Sequence, residues 1–192
     1  MSMARLRIPV NLANGLTIFR ILLIPVFMVF LLGLEVIPAD VSAAVAVAVF
    51  AIAALTDTLD GYFARSRNAV TILGQFLDPL ADKLLISAAL ISLVSLGRIS
   101  AGLAMVIISR EFAVSGLRLV AAADRVVIPA SPLGKVKTFS QIVAVVALIL
   151  PPFGYIFSRP LSWYLIYIAA LLTIVSGIDY FVKAREWIKA PE

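Results

Sequence analysis

Four aspartates, Asp57, Asp60, Asp78 and Asp82, carry the spacing in this chain that most invites chemistry. In the run Asp57-Thr58-Leu59-Asp60-Gly61-Tyr62-Phe63-Ala64-Arg65, the residues Asp57, Asp60, Gly61 and Ala64 follow the three-and-four interval that puts them on one face of a helix. Gly74, Asp78 and Asp82 follow at strict intervals of four on the next apolar segment. Two neighbouring antiparallel helices patterned this way aim two carboxylates each into one space. Gly61, Ala64 and Gly74 are small where the acidic faces meet, so backbones and a bulky ligand can approach. Pro79, beside Asp78, frees a backbone carbonyl and bends its helix, which is tolerated where a cavity is lined.

An ionised side chain at mid-membrane costs about 2.5–3.5 kcal/mol, so a cluster of four costs on the order of 10 kcal/mol before mutual repulsion. Structural salt bridges to Arg65 and Lys83 leave most of that charge uncompensated, whereas divalent cations neutralise it directly. The chain has no histidine and no cysteine, so the ligands must be oxygens. That donor set selects a hard cation, Mg2+ or Mn2+.

The elements that must position these acids are transmembrane helices. Of 192 residues, 62% are hydrophobic and only 14% charged, where a soluble domain is nearer half apolar and a quarter charged. A bilayer crossing needs roughly 20 mainly apolar residues. Six stretches qualify, at 16–34, 41–63, 72–97, 100–123, 136–157 and 161–182, and no linker separates two domains, so residues 1–192 form a single all-α membrane domain. Arg5, Arg7, Arg65, Arg67, Arg125, Lys135, Lys137, Lys183, Arg185 and Lys189 fall on one side of such a six-span chain, with only Arg98 and Arg159 opposite. The positive-inside rule then puts both termini in the cytoplasm. Arg5 to Val10 fits a short interfacial helix. Arg5 and Arg7 before an apolar run imitate a signal peptide, but Asn14, Thr17, Arg20 and Pro25 suit a retained helix better. The formal charge of +5 is scattered among apolar runs, which favours an anionic lipid surface over nucleic acid. Trp163, Tyr164, Tyr167, Tyr180 and Trp187 bracket the last span as an interfacial aromatic belt would.

The run DTLDGYFAR, eight residues, then GQFLDPLAD resembles the signature D-x-x-D-G-x-x-A-R…G-x-x-x-D-x-x-x-D of the CDP-alcohol phosphotransferase family. The resemblance implies a six-helix membrane enzyme, commonly a homodimer, that displaces CMP from a CDP-linked donor with an alcohol. Carried over, it makes Asp57, Asp60 and Asp78 metal ligands and Asp82 a ligand-proximal general base. It places Gly61, Ala64 and Arg65 in the cytidine diphosphate pocket, with Gly74 beside them. Physical chemistry supports the same roles: phosphoryl transfer is positioning plus charge stabilisation, which two metal ions supply. Without histidine, a carboxylate at the end of the cluster is the natural acceptor of the alcohol's proton, which is the role expected of Asp82.

The acceptor is read from a second constellation. Arg110, Glu111 and Arg118 lie on the fourth span, the two arginines eight residues apart and so near one face, while Lys135, Lys137, Thr138 and Gln141 open the fifth. Arginine binds phosphate bidentately and lysine as a point charge, so the cluster reads as a pocket for a phosphorylated acceptor, held by Arg110, Arg118, Lys135, Lys137 and Thr138. Positive-inside topology is the competing explanation for Lys135 and Lys137, and a weaker one for arginines deep in an apolar span. The runs REFAVSGLRLVAA and SPLGKVKTFSQ, with the opening NGLTIFR and Pro25, resemble the branch of the family that makes phosphatidylglycerophosphate. That resemblance implies CDP-diacylglycerol as donor, with Asn14, Thr17 and Arg20 at its site, and sn-glycerol 3-phosphate as acceptor. It also implies a bacterial cytoplasmic membrane with the active site facing the cytoplasm. Other members of the family, with inositol phosphate, serine or phosphatidylglycerol as acceptor, are the nearest alternatives; a cation-coupled transporter is a more distant one.

Overall fold

The structure is a computed structural model that describes the backbone of residues 12–33, 35–66, 72–123 and 132–188. Side chains are described within those ranges except at 12–14, 57–66, 72–76, 78, 123 and 186–188. Six helices follow one another, α1 (Leu12–Leu32), α2 (Ala39–Ser66), α3 (Ile72–Ser95), α4 (Ala101–Ala123), α5 (Pro132–Ile149) and α6 (Leu161–Ile188). The expected interfacial helix at residues 5–10 lies outside the described residues.

Among the described residues, α1, α2, α5 and α6 are long and apolar enough to cross a bilayer. The other two are broken by charge: every 18-residue stretch of α3 contains Asp78, Asp82 and Lys83, and every such stretch of α4 contains Arg110, Glu111 and Arg118. Both helices broken by charge carry residues expected to do chemistry, as do the end of α2 and the start of α5.

Local signals explain the ends. Gly97 closes α3 with φ +69°, its N–H donating to Val94 O at 2.9 Å and that of Arg98 to Leu93 O at 2.9 Å, a left-handed termination that favours glycine. Ser100 caps α4, its hydroxyl accepting from Leu103 N at 3.2 Å. Pro132 opens α5 at the position where a missing N–H costs nothing. The sequence pattern carried this helix to residue 157, but it ends at Ile149. The reason is Pro151-Pro152, which lacks two backbone donors and cannot continue a helix. The chain instead forms a small hairpin, β1 (Tyr155–Ile156) against β2 (Arg159–Pro160), turned through Phe157 and Ser158 at positive φ. Arg98 reaches across to this end and donates to the carbonyls of Leu148 and Ile149, capping α5. One of the two basic residues on that side is thus occupied with structure.

The core lies between the helices, with Phe27 and Phe50 in tilted contact at 5.4 Å and Leu90, Leu93, Ile107, Val145, Ile149 and Ile166 buried around them. Ala46, Ala53, Ala89, Ala144 and Ala169 are wholly buried. Small residues at these seams let backbones come close, the main source of packing energy where lipid offers no hydrophobic contrast. Leu22, Leu55, Ile91, Met105 and Leu171 point outward, as lipid-facing side chains do. The polar side chains inside are concentrated where α4, α5 and α6 converge.

Candidate active site

Helix α1 meets α2 through Arg20, which is fully buried together with Thr17. Arg20 Nε donates to Ala53 O at 3.1 Å and to Thr56 Oγ1 at 3.3 Å, and Thr56 in turn donates to Ala53 O at 2.7 Å. The guanidinium therefore sits one residue short of Asp57 and fixes the α1–α2 seam beneath the acidic run. Two acceptors on α2 meet its buried Nε–H, and a truncated side chain would leave Ala53 O and Thr56 with altered partners.

The acids ride on the backbones of α2 and α3. Asp57 and Asp60 stand in the last third of α2 and Asp78 and Asp82 in the first half of α3, so both pairs lie toward the connection between these helices. The side chains of Asp57, Asp60, Gly61, Ala64, Arg65, Gly74 and Asp78, and that of Asn14, lie outside the described residues. Asp82 is described: half-buried, it lines a cavity of about 540 Å³. An all-oxygen donor set without histidine or cysteine fits Mg2+ or Mn2+, and Asp82, the member of that set whose side chain is described, faces the cavity.

That cavity is built by four helices. Helix α3 contributes Asp82 and Lys83, α4 contributes Arg110, Glu111, Val114, Ser115 and Arg118, α5 contributes Gly134, Lys135, Lys137, Thr138, Phe139 and Ile142, and α6 contributes Tyr180. Every residue expected to hold a phosphorylated acceptor, Arg110, Arg118, Lys135, Lys137 and Thr138, is in this one wall. Five basic side chains face two acidic ones, so the space is strongly electropositive. Thr138 Oγ1 donates to Gly134 O at 3.1 Å, and Lys83 Nζ to Pro79 O at 2.8 Å, so these two polar groups are turned toward their own helices.

Arg110 is held from α6. Its Nη2 donates to Ser176 Oγ at 2.7 Å, and its Cζ lies 5.8 Å from the centroid of the Tyr180 ring. Gly177 makes room: a Cβ there would stand 3.0 Å from Arg110 Cγ and 3.3 Å from Nε. Arg110 Nε is buried without a hydrogen-bond partner among the described residues, an arrangement that costs ~1–3 kcal/mol. Stability gives way here to the placement of a charge. Tyr180 is only 5% exposed, so the aromatic expected in an interfacial belt is instead a wall of the cavity. Trp163 packs against Tyr167 at 4.3 Å and lies under Arg159 at 5.6 Å beside the hairpin.

Glu111 joins α4 to α5. Its Oε1 accepts from Lys137 Nζ at 2.5 Å and from Gln141 Nε2 at 3.2 Å, and lies 3.5 Å from Arg110 Nη1. Gln141 also donates to Thr173 Oγ1 at 2.9 Å, which donates to Ala169 O at 2.6 Å. Lys137, expected as a free phosphate ligand, thus faces the cavity with its ammonium already engaged. Sequence reasoning named Glu111 and Gln141 without giving them a role, and missed Thr173, Ser176 and Gly177. Those three are small or hydroxylated residues in an apolar helix, and only their partners on other helices reveal them.

Similar proteins bear on this geometry. The chain is 48% identical to a CDP-diacylglycerol–glycerol-3-phosphate 3-phosphatidyltransferase of Bacillus subtilis, over 93% of this chain and 97% of that protein. It is 39% identical to a protein of the same name from Rickettsia felis, over 95% of this chain and 99% of the other. It is also 44% identical to a probable phosphatidylglycerophosphate synthase of Mycobacterium tuberculosis, over 91% of this chain and 81% of the relative. Residues 10–175, which include the acidic run and every wall of the cavity except Tyr180, match the sequence profile of the CDP-alcohol phosphatidyltransferases. The chain belongs to the CDP-alcohol phosphatidyltransferase family.

Proposed function

We propose that this protein transfers the phosphatidyl group of CDP-diacylglycerol to sn-glycerol 3-phosphate, releasing CMP and forming phosphatidylglycerophosphate. The observation that carries this reading is the electropositive cavity beside Asp82, whose cations exceed what a neutral acceptor alcohol would need. The near full-length similarity to proteins named for this reaction supports it.

In the proposed mechanism, CDP-diacylglycerol enters from the bilayer with its acyl chains left in lipid, and its diphosphate lies near Arg65 at the end of α2. Asn14, Thr17 and Arg20 support that site from α1. Glycerol 3-phosphate enters from the cytoplasm and is anchored through its phosphate by Arg110, Arg118, Lys135 and Lys137, with Thr138 in the same wall but its hydroxyl proton given to Gly134 O. Asp82 takes the proton of its primary hydroxyl as that oxygen bonds to the phosphorus carrying the lipid. The bond from that phosphorus to the bridging oxygen breaks, and CMP leaves with the electron pair. Divalent ions held by Asp57, Asp60, Asp78 and Asp82 would supply charge neutralisation at the diphosphate. All six helices cross the bilayer with both termini cytoplasmic, and the enzyme works as a homodimer in the bacterial cytoplasmic membrane. The described charges of α3 and α4, Asp82, Lys83, Arg110, Glu111 and Arg118, are accommodated because they line the polar cavity.

Purified protein is expected to release CMP from CDP-diacylglycerol only when sn-glycerol 3-phosphate is present. Equal release with inositol phosphate, serine or phosphatidylglycerol would reassign the acceptor. Arg118→Ala and Lys135→Ala are each expected to raise KM for glycerol 3-phosphate about tenfold, the worth of one partly exposed charge-assisted phosphate contact. Steady-state kinetics at saturating CDP-diacylglycerol measures this, and unchanged KM in both variants would move the acceptor site elsewhere.

A further inference from the structure

We infer that Glu111 is a positioning residue for the acceptor phosphate: its carboxylate holds Lys137 and Arg110 in a fixed array, so the cationic wall exists before the substrate arrives. The inference rests on the cavity being the acceptor site. A carboxylate is at first sight misplaced there, since it opposes an incoming phosphate. Its contacts explain its presence. One oxygen accepts from Lys137 at 2.5 Å and Gln141 at 3.2 Å, which stand one turn apart on α5, and lies 3.5 Å from Arg110 on its own helix. Two cations brought side by side repel, and a shared counter-charge between them removes that repulsion at the distance set by the fold.

The array is closed from α6. Gln141 reaches Thr173 at 2.9 Å, and Ser176, one turn further along α6, receives the guanidinium of Arg110 at 2.7 Å. Glu111, Lys137, Gln141, Thr173 and Ser176 are all buried. Three helices are thereby locked through side chains, and neither end of the chain of contacts can shift alone. Stability does not account for such an arrangement, because well-packed apolar residues commonly do as well as a buried ion pair. Preorganisation does: charges whose rotamers are already fixed lose little entropy when they bind. Arg118 and Lys135 are exposed at the mouth by contrast, where they attract and orient the anion rather than define its seat.

The test is acceptor kinetics of full-length protein in lipid. Glu111→Gln keeps shape and one acceptor oxygen but removes the charge that pairs the cations. It is expected to raise KM for sn-glycerol 3-phosphate about tenfold, while KM for CDP-diacylglycerol stays within about twofold. Gln141→Met, which removes the second tether while keeping volume, should raise the same KM by a smaller factor. It carries the test alone if Glu111→Gln does not accumulate. An unchanged acceptor KM, or a fall in kcat alone, overturns the positioning role. A lower acceptor KM overturns it too, because the carboxylate would then only have opposed the anion. Arg118→Ala, measured alongside, separates the two readings. If it raises acceptor KM and the Glu111 and Gln141 variants do not, the positioning role fails and the acceptor site stands; if none of the three moves it, the cavity is not the acceptor site.

Discussion

Asp82→Asn is expected to lower CMP release by about a thousandfold or more, a loss in the range that general-base catalysis supplies, with a further part from the weakened acidic cluster. The amide matches the carboxylate in size and still accepts a hydrogen bond, but it cannot take the proton of the attacking hydroxyl. Asp82 is singled out because it stands one turn from Asp78 on α3 and, among the described residues, lines the basic cavity proposed to take the acceptor. Binding of CDP-diacylglycerol should change far less, since Asp57, Asp60 and Asp78 remain. Single-turnover CMP release together with equilibrium binding of a CDP-lipid separates the two effects. Turnover near that of the unaltered protein would remove Asp82 from the chemistry, and equal loss of binding and turnover would make it a ligand-holding group only.

Stripping divalent cations should abolish turnover, with recovery on adding Mg2+ or Mn2+. The reason is electrostatic before it is chemical. In the proposed site four carboxylates would repel one another and the diphosphate they must meet, so neither substrate binding nor displacement would be favourable without compensating charge. Ca2+ prefers longer bonds and more ligands and should restore less activity. A second readout needs no catalysis. An ion that binds the folded state raises its stability by about 2.7 kcal/mol at a hundred times its dissociation constant, so the unfolding midpoint should climb with Mg2+ and fall on chelation. Asp57→Asn with Asp60→Asn should abolish that climb. Full activity in protein freed of divalents, or a midpoint indifferent to them, would end the metal reading.

Much of this architecture is legible without coordinates because it is local. The six helices begin and end near the positions that apolar runs, Gly97, Ser100 and Pro132 dictate, since a bilayer crossing must satisfy its own backbone within one segment. Helix α5 is the exception that shows the limit. Its apolar run extends beyond Ile149, but Pro151-Pro152 and a hairpin with two positive-φ residues replace the final turns. Hydropathy measures the cost of leaving water; it does not register which backbone can hydrogen-bond to itself.

The chain's own residues pointed to a cluster of acids, restricted the ligand atoms to oxygens because histidine and cysteine are absent, and picked out Arg110, Arg118, Lys135, Lys137 and Thr138, which line one cavity. Those readings rest on spacing within each helix, on which helices follow one another, and on residue types that are absent altogether. Only the tertiary structure decided how the face is assembled. Glu111 meets Lys137 across 26 positions and Arg110 meets Ser176 across 66, pairings that no short-range periodicity encodes. It also moved Tyr180 from the membrane interface to the cavity wall and gave Gly177 its purpose, because a ring or a missing Cβ acquires meaning only from what another helix brings against it.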